Sequence, residues 1–155
     1  MNATTTPLPP LPDFARVSPA LTGRVGHVLA RAHFLVRDYA DEVLKPFDLA
    51  IRQFAALAIL NGEGPISQQA LGRRLVCDRT TMVELMDDLE RRGLTKRQRN
   101  PADRRAYAIE LSERGRQILA EAGDRLRAAE GVLMAPLSAA EREQLRGLLL
   151  RLLDR

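Results

Sequence analysis

In residues 96–105, KRQRNPADRR, five cations (Lys96, Arg97, Arg99, Arg104 and Arg105) surround a Pro-Ala-Asp turn. Like charges held this close on a short ribbon repel one another unless water or an anion compensates. A solvated loop satisfies them; so does a phosphate backbone. An arginine at a hairpin tip suits a narrow minor groove, where the potential is most negative. Asp103, two residues before Arg105, can fix that side chain in place. The wider charge distribution supports an anionic partner. Residues 91–116 carry nine Lys or Arg against three Asp or Glu, a net +6 that exceeds the whole chain's +4, so the remainder is slightly acidic.

Other chemistry is sparse. Cys77 is the only cysteine, which excludes an intrachain disulfide and a multi-cysteine metal site. His27 and His33 stand six residues apart, off the spacing of a shared metal site on a helix. Gly62 and Gly64 lie in a loop without the lysine and following helix of a phosphate-cradling loop. The chain holds no nucleophile–base pairing and no paired carboxylates. It therefore reads as a non-enzyme with no cofactor and no metal. Aromatic residues make up 4% and Trp is absent, which disfavours a site that stacks successive bases. No charged-then-apolar leader and no apolar run near ~18 residues is found. The expectation is a cytoplasmic protein without a membrane partner.

The elements that must position the cations follow from periodicity. Residues 1–17 hold four of the nine prolines and no helical period, so they read as a mobile arm. Ser18 can cap a long helix to about Leu44, with Leu21, Val25, Val28, Leu29, Leu35, Val36, Tyr39 and Val43 recurring every three or four residues. Pro46 ends it. A second helix covers about 51–61 with Phe54, Leu57 and Ala58 inward. Ser67 can cap a short helix over 68–75, with Ile66 and Leu71 at the two positions of a hydrophobic staple. Asp78 can cap the next, over 79–92, whose buried stripe is Met82, Leu85, Met86 and Leu89. Gly93 is placed to end it in a left-handed turn.

Only Val76 and Cys77, with the capping Asp78, separate the two short helices, which makes a helix-turn-helix. A two-stranded hairpin follows, its apolar positions Tyr107, Ile109 and Leu111 alternating. Ser112 then opens a helix to about Leu133 with Ile118, Leu119, Ala122, Leu126 and Ala129 on one face. Pro136 breaks the chain, and Ser138 to Glu141 is a capping box for a last helix striped with Leu145, Leu148, Leu149, Leu152 and Leu153. The fold class is mainly α with a small β wing. A winged helix-turn-helix lobe spans 46–111. A dimerisation lobe combines 18–45 and 112–155, because one copy alone would struggle to cover both terminal stripes.

With its stripe inward, the helix from Arg79 presents Thr80, Val83, Glu84 and Asp87 outward, with Arg79 and Thr81 on its flanks. A helix inserted N-terminus first reads base edges with its first turns. Arg79 can bind guanine, Thr80 or Thr81 a thymine methyl, and Glu84 cytosine N4. The helix itself is acidic: residues 78–90 carry Arg79 against Asp78, Glu84, Asp87, Asp88 and Glu90, a net −4. Asp78 or Asp87 reaching a wing arginine would relieve that charge.

Residues 71–119, from LGRRLVCDRTTMVELMDDLERRGL through PADRR to LSERGRQIL, resemble the winged helix-turn-helix of the MarR family of bacterial transcriptional regulators. The similarity extends over about 20–153. It implies a homodimer on a pseudo-palindromic operator in double-stranded DNA, usually a repressor, released when a small, often aromatic or phenolic, effector binds between the lobes. By position it implies recognition contacts from Arg79, Thr80, Thr81 and Glu84, phosphate contacts near Ser67 and Gln68, and Arg105 in the minor groove. The chain departs from the family at Val83 and Glu84, where a Thr-Arg pair is common, which bears on the operator read. His33, Phe34, Arg37 and Phe54 can line a pocket between the lobes. Two alternatives stand beside this reading: a thiol-gated regulator acting through Cys77, and a protein-interaction module, suggested by the acidic recognition helix, that has lost DNA binding.

Overall fold

The computed structural model describes residues 6–12, 18–99 and 107–154, with Arg99 described by its backbone alone. The elements are α1 (Val25–Leu44), α2 (Ile51–Glu63), β1 (Ile66–Ser67), α3 (Gln68–Leu75), α4 (Arg79–Arg91), β2 (Thr95–Arg99), β3 (Tyr107–Leu111), α5 (Glu113–Leu133) and α6 (Ala139–Leu153). Short turns of 3-10 helix at Pro19–Leu21 and Lys45–Phe47 flank α1.

Most boundaries fall where local chemistry puts them. Ser67, Asp78, Ser112 and Ser138 each accept a hydrogen bond from the backbone amide three residues on. Ser138 and Glu141 form both halves of the capping box. The first helix differs: it starts at Val25, and Ser18 caps only the separate 3-10 turn, without a side-chain bond. The Thr22 hydroxyl donates to the Pro19 carbonyl at 2.9 Å, and Gly23 follows, so local bonding and low helix propensity interrupt the run. The second helix continues to Glu63, and Ala58 lies on its exposed side.

The hairpin gains a third strand. The sheet order is β1-β3-β2, all antiparallel, with Ile66 opposite Ile109 and Thr95 opposite Leu111. Two residues are too few to show a period of two, so β1 has no sequence signal. The main core lies between this sheet and α2–α5, from Leu44, Phe47 and Leu57 through Leu71, Met86 and Leu89 to Ile109, Leu111 and Leu119. A smaller cluster joins Tyr39 and Val43 of α1 to Ala129 of α5, with Leu8 packed against it.

That contact concerns the N-terminal arm. Residues 6–12 are held on the fold, which a free arm would not be. Arg125, only 5% exposed, donates from Nε to the Val43 carbonyl at 3.1 Å, from a terminal nitrogen to the Pro7 carbonyl at 2.8 Å, and also to the Thr6 carbonyl. The Tyr39 hydroxyl donates to the Pro9 carbonyl at 3.3 Å. The rest of the arm lies outside the described residues.

Candidate nucleic-acid interface

The helix-turn-helix is built from α3 and α4. The Ser67 hydroxyl accepts from the Ala70 amide at 3.2 Å, and Ile66 and Leu71 both pack in the main core, as a staple requires. At the α3 end, the Cys77 amide donates to the Gly72 carbonyl at 3.0 Å and the Val76 amide to the Arg73 carbonyl at 3.4 Å. This is the paired-bond ending that needs one left-handed residue, and Val76 supplies it at φ 49°. The end of α4 repeats the arrangement, with Leu94 bonded to Leu89, Gly93 to Glu90, and Gly93 at φ 68°.

Asp78 is fully committed to the start of α4. One carboxylate oxygen accepts from the Thr81 amide at 3.0 Å and the other from the Thr81 hydroxyl at 2.6 Å. The Thr81 hydroxyl bond and then the amide bond hold its carboxyl below the usual Asp range. Two expectations change here. Among the described residues Asp78 meets no wing cation, its oxygens being used in capping, and the Arg99, Arg104 and Arg105 side chains lie outside them. The Thr81 hydroxyl faces its own cap, leaving its methyl for any outward contact. Arg79, Thr80 and Glu84 are exposed on the first turns of α4, and Ser67 and Gln68 are half-buried at the start of α3.

The wing arginine that does meet α4 is Arg97. Its terminal nitrogen lies 2.8 Å from an Asp87 oxygen and its Nε 3.1 Å from Glu90. Asp87 therefore acts as the expected support, and Arg97, expected at DNA, is turned onto the helix. Lys96 is exposed and pairs with Glu110 directly across the strand at 3.3 Å. Asp103, Arg104 and Arg105 lie outside the described residues, as does the Arg99 side chain.

One further acid of α4, the half-buried Asp88, is turned toward α2. Asp88 accepts from Gln53 of α2 at 2.8 Å and pairs with Arg91 and with Arg92, the latter at 3.4 Å. Arg92 also donates to the Phe47 carbonyl at 3.0 Å and lies 3.6 Å from Asp48. These groups border a cavity of about 400 Å³ among the α1–α2 connection, α2 and α4, lined also by Asp41 and Lys45. Among the described residues, Glu84 is the one acid of α4 left without an ion pair or hydrogen bond.

A groove of about 990 Å³ runs between α3 and α4, lined by Gln68, Arg73, Val76, Cys77, Arg79 and Val83 among others. Arg73 and Val76 are parts of this surface that periodicity did not single out. The outward position of Arg73 on α3 was the available signal. Cys77 is half-buried in the groove wall.

The proposed ligand residues are not gathered. His33, Phe34 and Arg37 form an exposed cluster on α1, with ring centroids 5.8 Å apart and the Arg37 guanidinium 5.0 Å from the Phe34 ring centre. Phe54 instead packs against the main core beside Gly123 of α5. None of the four lines either cavity described here. Among the described residues no group of three or more His, Cys, Asp or Glu is placed to hold a metal, and no helix is long and apolar enough to cross a membrane.

The family model for the MarR family matches residues 49–107. The chain is 30% identical over 134 residues to a transcriptional regulatory protein assigned to the hcr operon of Thauera aromatica, covering 86% of this chain and 81% of that one. Among solved structures it is similar to the transcriptional repressor CouR bound to a 23-mer DNA duplex, with TM-score 0.81 and 28% identity over 89% of this chain and 99% of the other. It is also similar to CouR from Rhodococcus jostii RHA1 bound to p-coumaroyl-CoA, with TM-score 0.76 and 29% identity over 85% and 93% of the two chains.

Proposed function

This chain belongs to the MarR family of DNA-binding transcriptional regulators, and from that premise we propose that it acts as a homodimeric repressor, released from its operator by a small aromatic or phenolic effector. The observation that carries the dimer is α6. This helix of fifteen residues contributes no buried side chain and exposes Leu145, Leu148, Leu150, Leu152 and Leu153. The start of α1 likewise exposes Val25, Val28 and Leu29. Apolar faces on both ends of a chain call for a partner, and a second copy supplies matching faces about a two-fold axis. In this reading 18–45 and 112–155 form the dimerisation lobe and 46–111 the reading lobe.

On DNA, Arg79, Thr80 and Glu84 read base edges in the major groove. Ser67 and Gln68 meet phosphates, and Lys96, Arg99, Arg104 and Arg105 follow the duplex along the wing. Arg97 and Asp87 hold the wing to α4. The effector class is supported by the p-coumaroyl-CoA bound to CouR. His33, Phe34 and Arg37 lie on α1, where a partner copy would complete their surroundings. Cys77 lines the groove beside Arg79, which keeps a thiol-gated variant as the second reading; persistence of oxidant-driven release in Cys77→Ser excludes it.

The test measures affinity for the DNA upstream of the chain's own gene across salt, with the molar mass in solution. A dimer that neutralises six to ten phosphates loses about 10³–10⁵-fold in affinity between 50 and 200 mM salt. Leu148→Glu is expected to give monomers that bind far more weakly. A flat salt response, or a wild-type monomer that binds fully, overturns the reading.

A further inference from the structure

Val76 is an anomaly. Among the described residues, four that follow helical segments have positive φ: Asp48 at 54°, Gly64 at 77°, Gly93 at 68° and Val76 at 49°. Glycine enters that region without cost, and aspartate tolerates it. A β-branched residue there is strained, because its Cβ crowds the following carbonyl. Packing does not compensate, since Val76 is 91% exposed. The chain uses glycine for the same paired-bond ending at the end of α4, so nothing in the turn itself requires valine.

The surroundings suggest what does. Val76 and Val83, the latter 40% exposed, both line the groove between α3 and α4, in the company of Arg73 and Arg79. An apolar pair flanked by arginines matches a surface that combines methyl groups with phosphates. In the major groove only thymine presents a methyl.

Resting on the DNA-binding reading above, we infer that Val76 is a specificity residue of this regulator, held in a strained conformation so that its side chain packs on a thymine methyl, with Val83 beside it. Glycine at this position would relax the turn and remove the contact, so stability and DNA affinity move in opposite directions.

The experiment uses the full chain and a duplex that wild type selects from a random-sequence pool. Val76→Gly and wild type are compared for thermal stability, for affinity, and for affinity to duplexes in which each thymine in turn is replaced by deoxyuridine in both half-sites. Val76→Gly is expected to melt about 3 °C higher, from release of the left-handed strain. It is expected to bind about a hundredfold more weakly, from loss of one buried valine side chain in each of the two half-sites. Wild type should lose affinity at one thymine per half-site where Val76→Gly loses none. Equal affinity of the two proteins, identical deoxyuridine profiles, or a lower melting temperature for Val76→Gly each overturn the inference. Selection of no duplex by wild type overturns the DNA-binding reading as well, which separates the two failures.

Discussion

Gly115 offers a stringent test of how the reading unit is joined to the long helix α5. A Cβ built there would lie 2.1 Å from the Leu94 carbonyl oxygen and 2.7 Å from Leu111 Cδ1. Ordinary carbon–oxygen contacts begin near ~3.3 Å, so Gly115→Ala needs roughly 1 Å of movement. The Leu94 carbonyl is poorly placed to yield. It accepts from the Ser112 amide at 3.0 Å, while the Ser112 hydroxyl donates to Gly93 at 2.7 Å and accepts from the Gly115 amide at 2.9 Å. Relief therefore means tilting the start of α5 away from β2 and β3. Overpacking plus a weakened Ser112–Leu94 bond comes to about 3 kcal/mol, or about 10 °C of melting temperature for a chain of this size. Gly123→Ala is the control. The nearest atoms to its Cβ would be the Arg127 side chain at 3.5 Å and Phe54 ring carbons at 3.8 and 3.9 Å, ordinary contacts. It is expected to melt at or above wild type, since alanine favours the helix. Thermal unfolding by circular dichroism at one fixed protein concentration reads both, because the proposed dimer would make the midpoint concentration-dependent. A Gly115→Ala protein melting within about 2 °C of wild type refutes the pinned-carbonyl argument.

Two further perturbations probe single polar groups. The Thr95 hydroxyl is buried and, among the described residues, without a hydrogen-bond partner. Thr95→Val keeps the shape and removes the desolvated hydroxyl, so denaturant unfolding should show unchanged stability or a gain of up to about 1 kcal/mol; a clear loss would reveal a partner for that hydroxyl. The Asp78 carboxyl is held below its ordinary value by Thr81. A depressed carboxyl stabilises the folded state above its unfolded pKa, near ~3.9, and the contribution disappears as pH falls through the lower folded value. Asp78→Asn keeps a capping oxygen and removes the titration. The melting-temperature gap between wild type and this variant should therefore shrink from pH 7 to acid, and a gap constant with pH would refute the assignment.

Local bonding and periodicity are the parts of this fold that a sequence displays. Ser67, Asp78, Ser112 and Ser138 cap because a side-chain oxygen three residues before an unpaired amide suffices, whatever the rest of the chain does. The stripe Met82, Leu85, Met86 and Leu89 is buried as its spacing requires. What escaped depends on distant partners. Arg97 has the composition of a DNA contact, but its acids, Asp87 and Glu90, are brought to it only by folding β2 against α4. Arg125 carries no local signal for its carbonyl partners 82 to 119 residues away. The proposed ligand residues likewise depend on distant partners: in the single chain Phe54 packs on the main core while His33, Phe34 and Arg37 stay exposed on α1.

The acidity of α4 looks at first like an argument against DNA. The structure separates its carboxylates by task. Asp78 serves the helix cap, Asp88 holds Gln53 and Arg92 at the α2 side, and Asp87 with Glu90 takes Arg97 from the wing. The repulsion that five neighbouring cations would suffer is lowered because one of them is neutralised by the helix. The surplus negative charge of the helix is lowered by the same bridge. One pair of carboxylates thus ties α4 to β2, so that on the DNA-binding reading proposed above the helix start and the ribbon would meet a duplex as one body. An isolated exposed ion pair would contribute little to such a joint. A single arginine of β2 shared by two acids of α4 constrains the relative orientation of the two elements, which is the property the proposed two-groove reading would require.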